Sequence, residues 1–173
     1  MSSIEIRPLS NTAGTKKMLV DLLIGTVAAG GSVSFMHPLA PEMAAAFWNK
    51  SLQAVNRGER AVLGAWNGEA LVAPSPLLDC PPNQPHRAEI AKLMTRLNYR
   101  GKGVATRLME AAEAVAMEKG RTLLVLDTAK EEGASGLYEK LGFTLGGEIP
   151  DYAMKPHGGL TGTLIYWKRI GTV

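Results

Sequence analysis

Residues 87–128 contain the feature that most limits how this chain can fold: a strand-like run, a turn with two glycines, a long amphipathic pattern and a second strand-like run. Residues 88–95 predict the first strand and residues 103–119 a helix, while the uninterrupted apolar residues 123–126 predict a strand covered on both faces. Two strands joined through such a helix lie parallel, with a right-handed crossover. This unit therefore predicts an α/β domain.

The turn at residues 100–105 predicts a phosphate site. Gly101 and Gly103 let the backbone approach a phosphate closely, and Arg100 and Lys102 add positive charge. A helix start also leaves backbone N–H groups unpaired and directs the positive end of the helix dipole at the same point. Neither G-x-x-x-x-G-K-[ST] nor G-x-G-x-x-G can be written through this turn, so the nucleotide-triphosphate and dinucleotide fingerprints are both excluded.

Two short motifs in this chain resemble those of a known family. The sequence Arg100-Gly101-Lys102-Gly103-Val104-Ala105 fits [QR]-x-x-G-x-[GA], and Leu137-Tyr138-Glu139-Lys140-Leu141-Gly142-Phe143 fits L-Y-x-x-L-G-F. In this order, and with room for a helix, a strand and a helix, they resemble the signatures of the GNAT N-acetyltransferases. The resemblance implies a GNAT fold over residues 1–173 as a single domain: an α/β (α+β) arrangement with a mixed, mostly antiparallel central sheet, flanking helices and one parallel strand junction.

The same resemblance implies acetyl-CoA as the cosubstrate, held by the turn and by the strand that precedes it. A bulge in that strand would present backbone N–H groups to the thioester carbonyl and to the pantetheine arm. The predicted cofactor-binding residues are Leu93, Met94, Thr95, Arg100, Gly101, Lys102, Gly103, Val104, Ala105, Thr106 and Ser135.

Two acidic residues are candidates for accepting the proton of the acceptor amine. An alkylammonium has a pKa of roughly 10, so a base or a water chain must deprotonate it before it attacks the thioester. Glu89 lies in the strand before the turn and Asp127 ends the neighbouring parallel strand, so both can face the cleft where these strands separate. Glu89 could instead be a solvated outward residue, and Asp127 could cap the next turn or bind the substrate ammonium by charge.

Tyr138 and three apolar or aromatic residues complete the site implied by the resemblance. Tyr138 would lie near the cofactor sulfur and protonate the departing thiolate, the alternative being a ring that only packs in the core. Phe35, Met36 and Tyr152 would wall the acceptor pocket, the alternative being ordinary loop packing.

The predicted acceptor is a small primary amine, either amino-acid-like or resembling a toxin or antibiotic. Several segments, among them residues 31–36 and 147–152, resemble the branch of the family that inactivates an amine-bearing β-lactam toxin. Two other classes remain open: a non-catalytic module that binds acyl-CoA, and an N-acetyltransferase that acts on a protein or peptide.

Cysteine and histidine usage argues against metal and covalent chemistry. Cys80 is the only cysteine, which rules out an internal disulfide and a cysteine zinc cluster. No histidine pairing is predicted for Cys80, so we expect direct transfer without a covalent enzyme intermediate. His37, His86 and His157 lack metal-ligand spacing, and no metal is expected.

Composition limits the partners of the chain. The net charge of +3 and the pI near 9.1 come without a Lys/Arg stripe, so we expect no nucleic-acid partner. No apolar stretch is long enough to cross a bilayer and no secretion signal opens the sequence, so we expect no membrane partner and a cytoplasmic location. A homodimer is compatible with the sequence, although no exposed apolar stripe indicates one.

The remaining pattern predicts further elements. Pro74 and Pro76 cannot donate ladder hydrogen bonds, so the second strand of the hairpin is expected to be an edge, a bulged segment or an interruption of the sheet. The second helix is expected to bury Met43, Ala46, Phe47 and Leu52. The predicted strands lie at residues 4–7, 60–66, 69–73, 143–148 and 164–168, and the predicted helices at residues 15–28, 41–55 and 132–141.

Overall fold

A computed structural model describes residues 3–172 of the chain. The helices are α1 (Ala13–Ala28), α2 (Pro41–Asn56), α3 (Val104–Glu118) and α4 (Ser135–Lys140), with short 3₁₀ turns at Leu97–Tyr99 and Lys130–Glu132. The strands are β1 (Ile4–Pro8), β2 (Arg60–Asn67), β3 (Ala70–Asp79), β4 (Arg87–Ile90), β5 (Leu123–Ala129), β6 (Thr144–Met154) and β7 (Leu160–Arg169).

The strands form a seven-stranded sheet in the order β1-β2-β3-β4-β5-β7-β6. β4 and β5 run parallel, with Glu89 beside Val125, and the other strand pairs of the described chain are antiparallel. The mixed, mostly antiparallel sheet with one parallel junction is therefore confirmed. That junction follows from the helix α3, which returns the chain to the edge from which β4 began.

Helices cover both faces of this sheet. Leu108, Ala112 and Ala116 of α3 are buried on one face, together with Tyr138 from α4. On the other face, α1 and α2 pack on β2 and β3 through a second apolar cluster. Within residues 3–172, no helix is long and apolar enough to cross a membrane.

The buried face of α2 differs from the one predicted. Met43 is 59% exposed and Ala46 is exposed, whereas Ala44, Trp48 and Leu52 are fully buried. Both stripes have helical spacing, so periodicity alone does not choose between them. The large ring of Trp48 occupies the core. The buried face of the helix is therefore about one residue, or 100°, away from the predicted face.

β3 continues through both prolines without a break. The carbonyl of Pro76 accepts from the N–H of Ala91 and the carbonyl of Pro74 from that of Met94. The N–H and C=O of one strand residue point to the same side, so the missing N–H groups of both prolines face the irregular segment after β4 rather than β2. Of the three predicted alternatives, the bulge is present: the register of β3 with β2 shifts between Ala65 and Trp66, at residues 71–73 and so just before Pro74. The predicted edge or interruption was wrong, because β3 is an interior strand and the segment beside the prolines only donates.

The remaining elements differ from prediction mainly in their ends. α4 begins at Ser135 rather than at residue 132, since Gly133 has a left-handed φ of 68° that ends the preceding 3₁₀ turn. β6 runs on to Met154, beyond the predicted end at residue 148. Its pairing with β7 shifts register between Ile149 and Ala153, which accommodates the proline at residue 150.

Candidate active site

The glycine turn presents a run of free backbone donors. α3 starts at Val104 with Gly103 as its N-cap at φ 75°, and Gly101 has φ 72°. The first N–H of the helix with a backbone acceptor is that of Arg107, which donates to Gly103. No backbone acceptor among residues 3–172 pairs with the six N–H groups of residues 101–106. Such a run at a helix start suits an anion.

Conformation, and not crowding, requires glycine in this turn. A Cβ added to Gly101 or Gly103 would meet no atom within 4 Å, but the φ of both residues is left-handed and therefore strained for other side chains. The space in front of the free amides is thus open. The exposed side chains of Arg100 and Lys102 lie beside it, so both charge and donors favour a phosphate group.

The segment after β4 no longer pairs with β5. β4 ends at Ile90, earlier than predicted, and Lys92 has a left-handed φ of 51°. From there the N–H groups of Met94 and Arg96 donate to β3, at 3.5 Å and 2.9 Å from their acceptors. Because successive N–H groups alternate in an extended chain, that of Thr95 points away from β3, towards the gap beside β5.

The predicted donors of this segment therefore differ from one another. The N–H groups of Leu93 and Thr95 have no hydrogen-bond acceptor among the described residues, so both can reach a ligand, whereas that of Met94 is already directed at Pro74. A cavity of about 200 Å³ adjoins the segment, between Thr95 and Arg100 on one side and Asp21 and Thr26 of α1 on the other.

The other predicted cofactor residues surround the turn. Val104 is buried, so only its backbone N–H can reach a ligand, while Ala105 and Thr106 are half-buried in the first turn of α3. Ser135 begins α4, but its side chain is not among the groups that the structure describes.

Glu89 and Asp127 lie on the same face of the sheet. Glu89 pairs with Val125, and Asp127 follows two residues later on β5, so their side chains point to the same side. Nη1 of Arg87 lies 3.6 Å from Oε2 of Glu89, and the Thr163 hydroxyl donates to Oδ2 of Asp127 at 2.9 Å. Both carboxylates are open to solvent on the face opposite α3, in the cleft beside α1 and α2.

Lys92 is a further residue of this cleft that the sequence did not indicate as functional. Its Nζ donates to the Ser34 hydroxyl at 2.6 Å and lies 5.9 Å from the centre of the Phe47 ring. Burial lowers the pKa of Lys92, while the charges of Asp127 and Glu89 raise it. In the sequence it is one lysine in a strand-like run, and only the tertiary structure brings the loop before α2 over it.

Tyr138 is buried against the sheet, at 6% exposure, with its ring 5.5 Å from that of Tyr166 and 6.1 Å from that of Phe143. Burial first, and then the charge of Glu132, raise the pKa of Tyr138 to about 12, although a hydrogen bond with the Thr128 side chain opposes the rise. The phenol thus keeps its proton at neutral pH and can serve there as a proton donor but not as a base.

This pKa shift predicts an alkaline loss of stability. The unfolded phenol has a pKa of about 10, so the folded state disfavours its ionisation. The stabilisation is complete below pH 10 and is lost as the pH rises through 12, by about 1.4 kcal/mol at pH 11 and about 2–3 kcal/mol in full. Urea unfolding of the wild type and of Tyr138→Phe between pH 8.5 and 11 measures this. Over that range the unfolding free energy of the wild type should fall by about 1.4 kcal/mol more than that of Tyr138→Phe. An equal fall in both proteins would contradict the shift.

The loop between α1 and α2 forms one wall of the cleft. The Phe35 ring packs edge-on against Phe47 with centres 5.5 Å apart, which places Phe35 near Lys92, while Met36 is exposed on the same loop. Tyr152 is 57% exposed on β6, and in the described chain its ring stands apart from this aromatic pair.

Further contacts join that loop to other segments around the cleft. The N–H of His37 donates to the Pro156 carbonyl at 2.9 Å, and the His37 and His157 rings are in tilted contact with centres 4.4 Å apart. The N–H of Ser32 donates to the Glu132 carboxylate, which joins the loop to the 3₁₀ turn after β5. Burial raises the pKa of Glu132, and this contact opposes the rise.

Comparisons with known proteins agree with this geometry. Residues 32–143 match the model of the acetyltransferase (GNAT) family. Among solved structures, the ribosomal-protein-alanine N-acetyltransferase from Brucella melitensis aligns with TM-score 0.81 and 20% identity, over 96% of this chain and 99% of its own.

Two relatives were solved with the cofactor. The yncA protein of Salmonella typhimurium, with acetyl-CoA, has TM-score 0.80 and 15% identity over 99% of this chain and 96% of its own. An aminoglycoside 6'-N-acetyltransferase with coenzyme A has TM-score 0.76 and 18% identity over 98% of both chains. At these identities the structures show a shared fold.

A sheet that opens at its parallel junction, beside a helix start with free amides, defines an acyltransferase that uses a coenzyme A thioester. The family match covers more than half of the chain, and the protein belongs to the GNAT family of acetyltransferases. It is an acetyl-CoA-dependent acyltransferase. Free donors and cations at residues 100–106 suit the diphosphate of acetyl-CoA. Residues 3–172 include no group of three or more His, Cys, Asp or Glu side chains that could hold a metal ion.

Proposed function

We propose that the protein is an N-acetyltransferase acting on the primary amine of a small molecule. The observation that supports this best is the pair of carboxylates, Glu89 and Asp127, on one sheet face beside the gap where Thr95 presents a free N–H. A toxin-like or antibiotic-like acceptor belongs to the same proposal, and so does a cytoplasmic location.

Bound acetyl-CoA supplies an acetyl thioester, and in the transfer a C–N bond forms as the C–S bond breaks. Residues 100–106 hold the diphosphate through backbone N–H groups and positive charge. The N–H groups of Leu93 and Thr95 donate to the acyl oxygen or to the pantetheine amides. Glu89 or Asp127 takes up the proton of the acceptor ammonium, and the Tyr138 hydroxyl donates to the departing thiolate.

A cysteine relay is not part of this mechanism. Burial raises the pKa of the Cys80 thiol, so little of it is the thiolate that would attack a thioester at neutral pH. We therefore propose direct attack by the amine.

Replacing Tyr138 by phenylalanine should lower kcat by about 10- to 100-fold, at the lower end of what a positioned acid contributes, because a thiolate is a tolerable leaving group. The affinity for acetyl-CoA should change less than about 2-fold, since the ring packing is kept. Stopped-flow thiol release gives kcat, and calorimetry gives the affinity. An unchanged kcat would remove Tyr138 from the mechanism.

A coupled thiol-release assay tests the function as a whole. Purified protein is incubated with acetyl-CoA and a panel of amino acids, dipeptides, amine antibiotics and peptides with free N-termini. Amine-dependent release of coenzyme A, with the N-acetylated product found by mass spectrometry, supports the proposal. Binding of acetyl-CoA without release for any amine indicates an acyl-CoA-binding module, and release with peptides alone indicates a protein or peptide N-acetyltransferase.

A further inference from the structure

Two opposite charges in the cleft are held apart although they lie near one another. The Lys92 ammonium is bound by the Ser34 hydroxyl at 2.6 Å, and the Asp127 carboxylate by the Thr163 hydroxyl at 2.9 Å. Their fields act on one another, since Asp127 raises the pKa of Lys92, but among residues 3–172 neither belongs to an ion pair within 4.0 Å. Each can therefore bind a further charged group.

The backbone around Lys92 is also unusual. Lys92 and Ser34 are two of the three non-glycine residues with positive φ in the described chain, at 51° and 72°. A left-handed conformation costs about 1–2 kcal/mol for a residue other than glycine. The fold thus places both ends of the Lys92–Ser34 hydrogen bond in a costly conformation, which is a common property of functional sites.

The charges around Lys92 balance rather than accumulate. Arg87 accompanies Glu89 at 3.6 Å, so the four side chains Arg87, Glu89, Lys92 and Asp127 bring two positive and two negative charges to one region. A polyamine would favour a cleft with excess negative charge. A molecule with one ammonium and one carboxylate would complement both unpaired groups, its ammonium towards Asp127 and Glu89 and its carboxylate towards Lys92.

We infer that Lys92 selects the acceptor, and that the acceptor is a zwitterionic, amino-acid-like amine whose carboxylate binds the Lys92 ammonium beside the Phe35–Phe47 pair. This inference rests on the proposed function and narrows it to a substrate class. The Lys92 side chain would give up or share its bond with Ser34 when the carboxylate arrives. The T-shaped ring pair provides an apolar surface for the remainder of the acceptor.

The test compares amines that differ only in the anionic group. Purified wild-type protein is assayed with acetyl-CoA against L-methionine and L-methioninamide, γ-aminobutyrate and its amide, and spermidine. The amino group of methioninamide is less basic than that of methionine, so a larger fraction is free to attack, and amine reactivity alone would favour the amide. The free acids should nevertheless show kcat/KM at least about 10-fold above the amides and above spermidine.

Variants at Lys92 then identify the residue responsible. Lys92→Met should raise KM for the acid about 10-fold or more while the amide changes less than about 3-fold, and Lys92→Arg should keep the preference. Lys50→Met, on the exposed side of α2, is the matched control and should behave as the wild type. Thermal unfolding by circular dichroism checks that each variant is folded.

Several results would overturn the inference. A wild-type preference for the amides or for spermidine would do so regardless of how the variants fold, and so would equal losses on acid and amide in Lys92→Met. If these amines are turned over without the acid preference, the transfer function stands and the role of Lys92 fails.

If no amine is turned over, the proposed function fails, and binding decides the role of Lys92. Calorimetry with L-methionine and its amide on the coenzyme A complex should then show an acid preference that Lys92→Met removes. Equal affinity for the two compounds would contradict the proposed role of Lys92.

Discussion

Replacing Gly103 by glutamate is expected to abolish acetyl-CoA binding, with a loss of affinity of at least about 100-fold, some 2.7 kcal/mol or more. Gly103 has φ 75° and directly precedes α3, so a Cβ strains the turn that orients the amides of residues 101–106. The new side chain also enters open space in front of those amides and brings a negative charge towards the diphosphate. Calorimetric titration with coenzyme A and with acetyl-CoA measures the effect.

Gly120→Glu is the matched control for this experiment. Gly120 lies just beyond the other end of α3, has φ 71°, and a Cβ there would also meet nothing within 4 Å. Its strain and its added charge therefore equal those at Gly103, but no cofactor contact is proposed there. The control should bind acetyl-CoA within about 3-fold of the wild type, and comparable binding by Gly103→Glu would contradict the proposed phosphate site.

Replacing the acidic residues of the cleft should give the largest loss of turnover. Either Glu89→Gln or Asp127→Asn should lower kcat/KM by about 10²- to 10⁴-fold, the range expected for a positioned general base. The base should show its loss in kcat, partly restored at high pH where more of the amine is free. A residue that only binds the ammonium should raise KM instead. Steady-state kinetics from pH 6 to 10 separates these roles.

Two further variants interpret that result. Glu69→Gln, in the exposed turn between β2 and β3, is the control and should leave kcat/KM unchanged. If Glu89 and Asp127 act as one unit, the double variant should be little slower than the slower single variant. Should both single variants keep more than about a third of wild-type kcat/KM, neither carboxylate is the base.

Much of the fold could be predicted because it depends on local pattern. The amphipathic pattern of residues 103–119 predicted α3 to within one residue at each end. The position of this helix between two strand-like runs in turn required a parallel pair. Pattern was insufficient where two solutions were equally periodic, as on α2, where Trp48 and not Met43 is buried.

Strand interiors were less predictable because hydrogen bonding there depends on neighbours that are distant in sequence. Pro74 and Pro76 suggested a break, yet both sit in β3 because the segment beside them donates N–H groups and requires none. The same segment ended β4 at Ile90, so that the strand is only four residues long. The sequence of residues 87–95 does not indicate which of its N–H groups have acceptors on β3.

The sequence by itself determined the glycine turn that we propose binds phosphate, and the carboxylate candidates of this protein. Left-handed glycines, a helix start and the positions of Glu89 and Asp127 at strand ends are local properties that follow from side-chain chemistry and chain geometry. Only the tertiary structure decided that Lys92 binds Ser34 within the field of the two carboxylates, because that contact joins the segment after β4 to a loop 58 residues earlier. Long-range packing, with no local signal in either segment, brings this ammonium into the field of Asp127, and the proposed choice of acceptor depends on that packing.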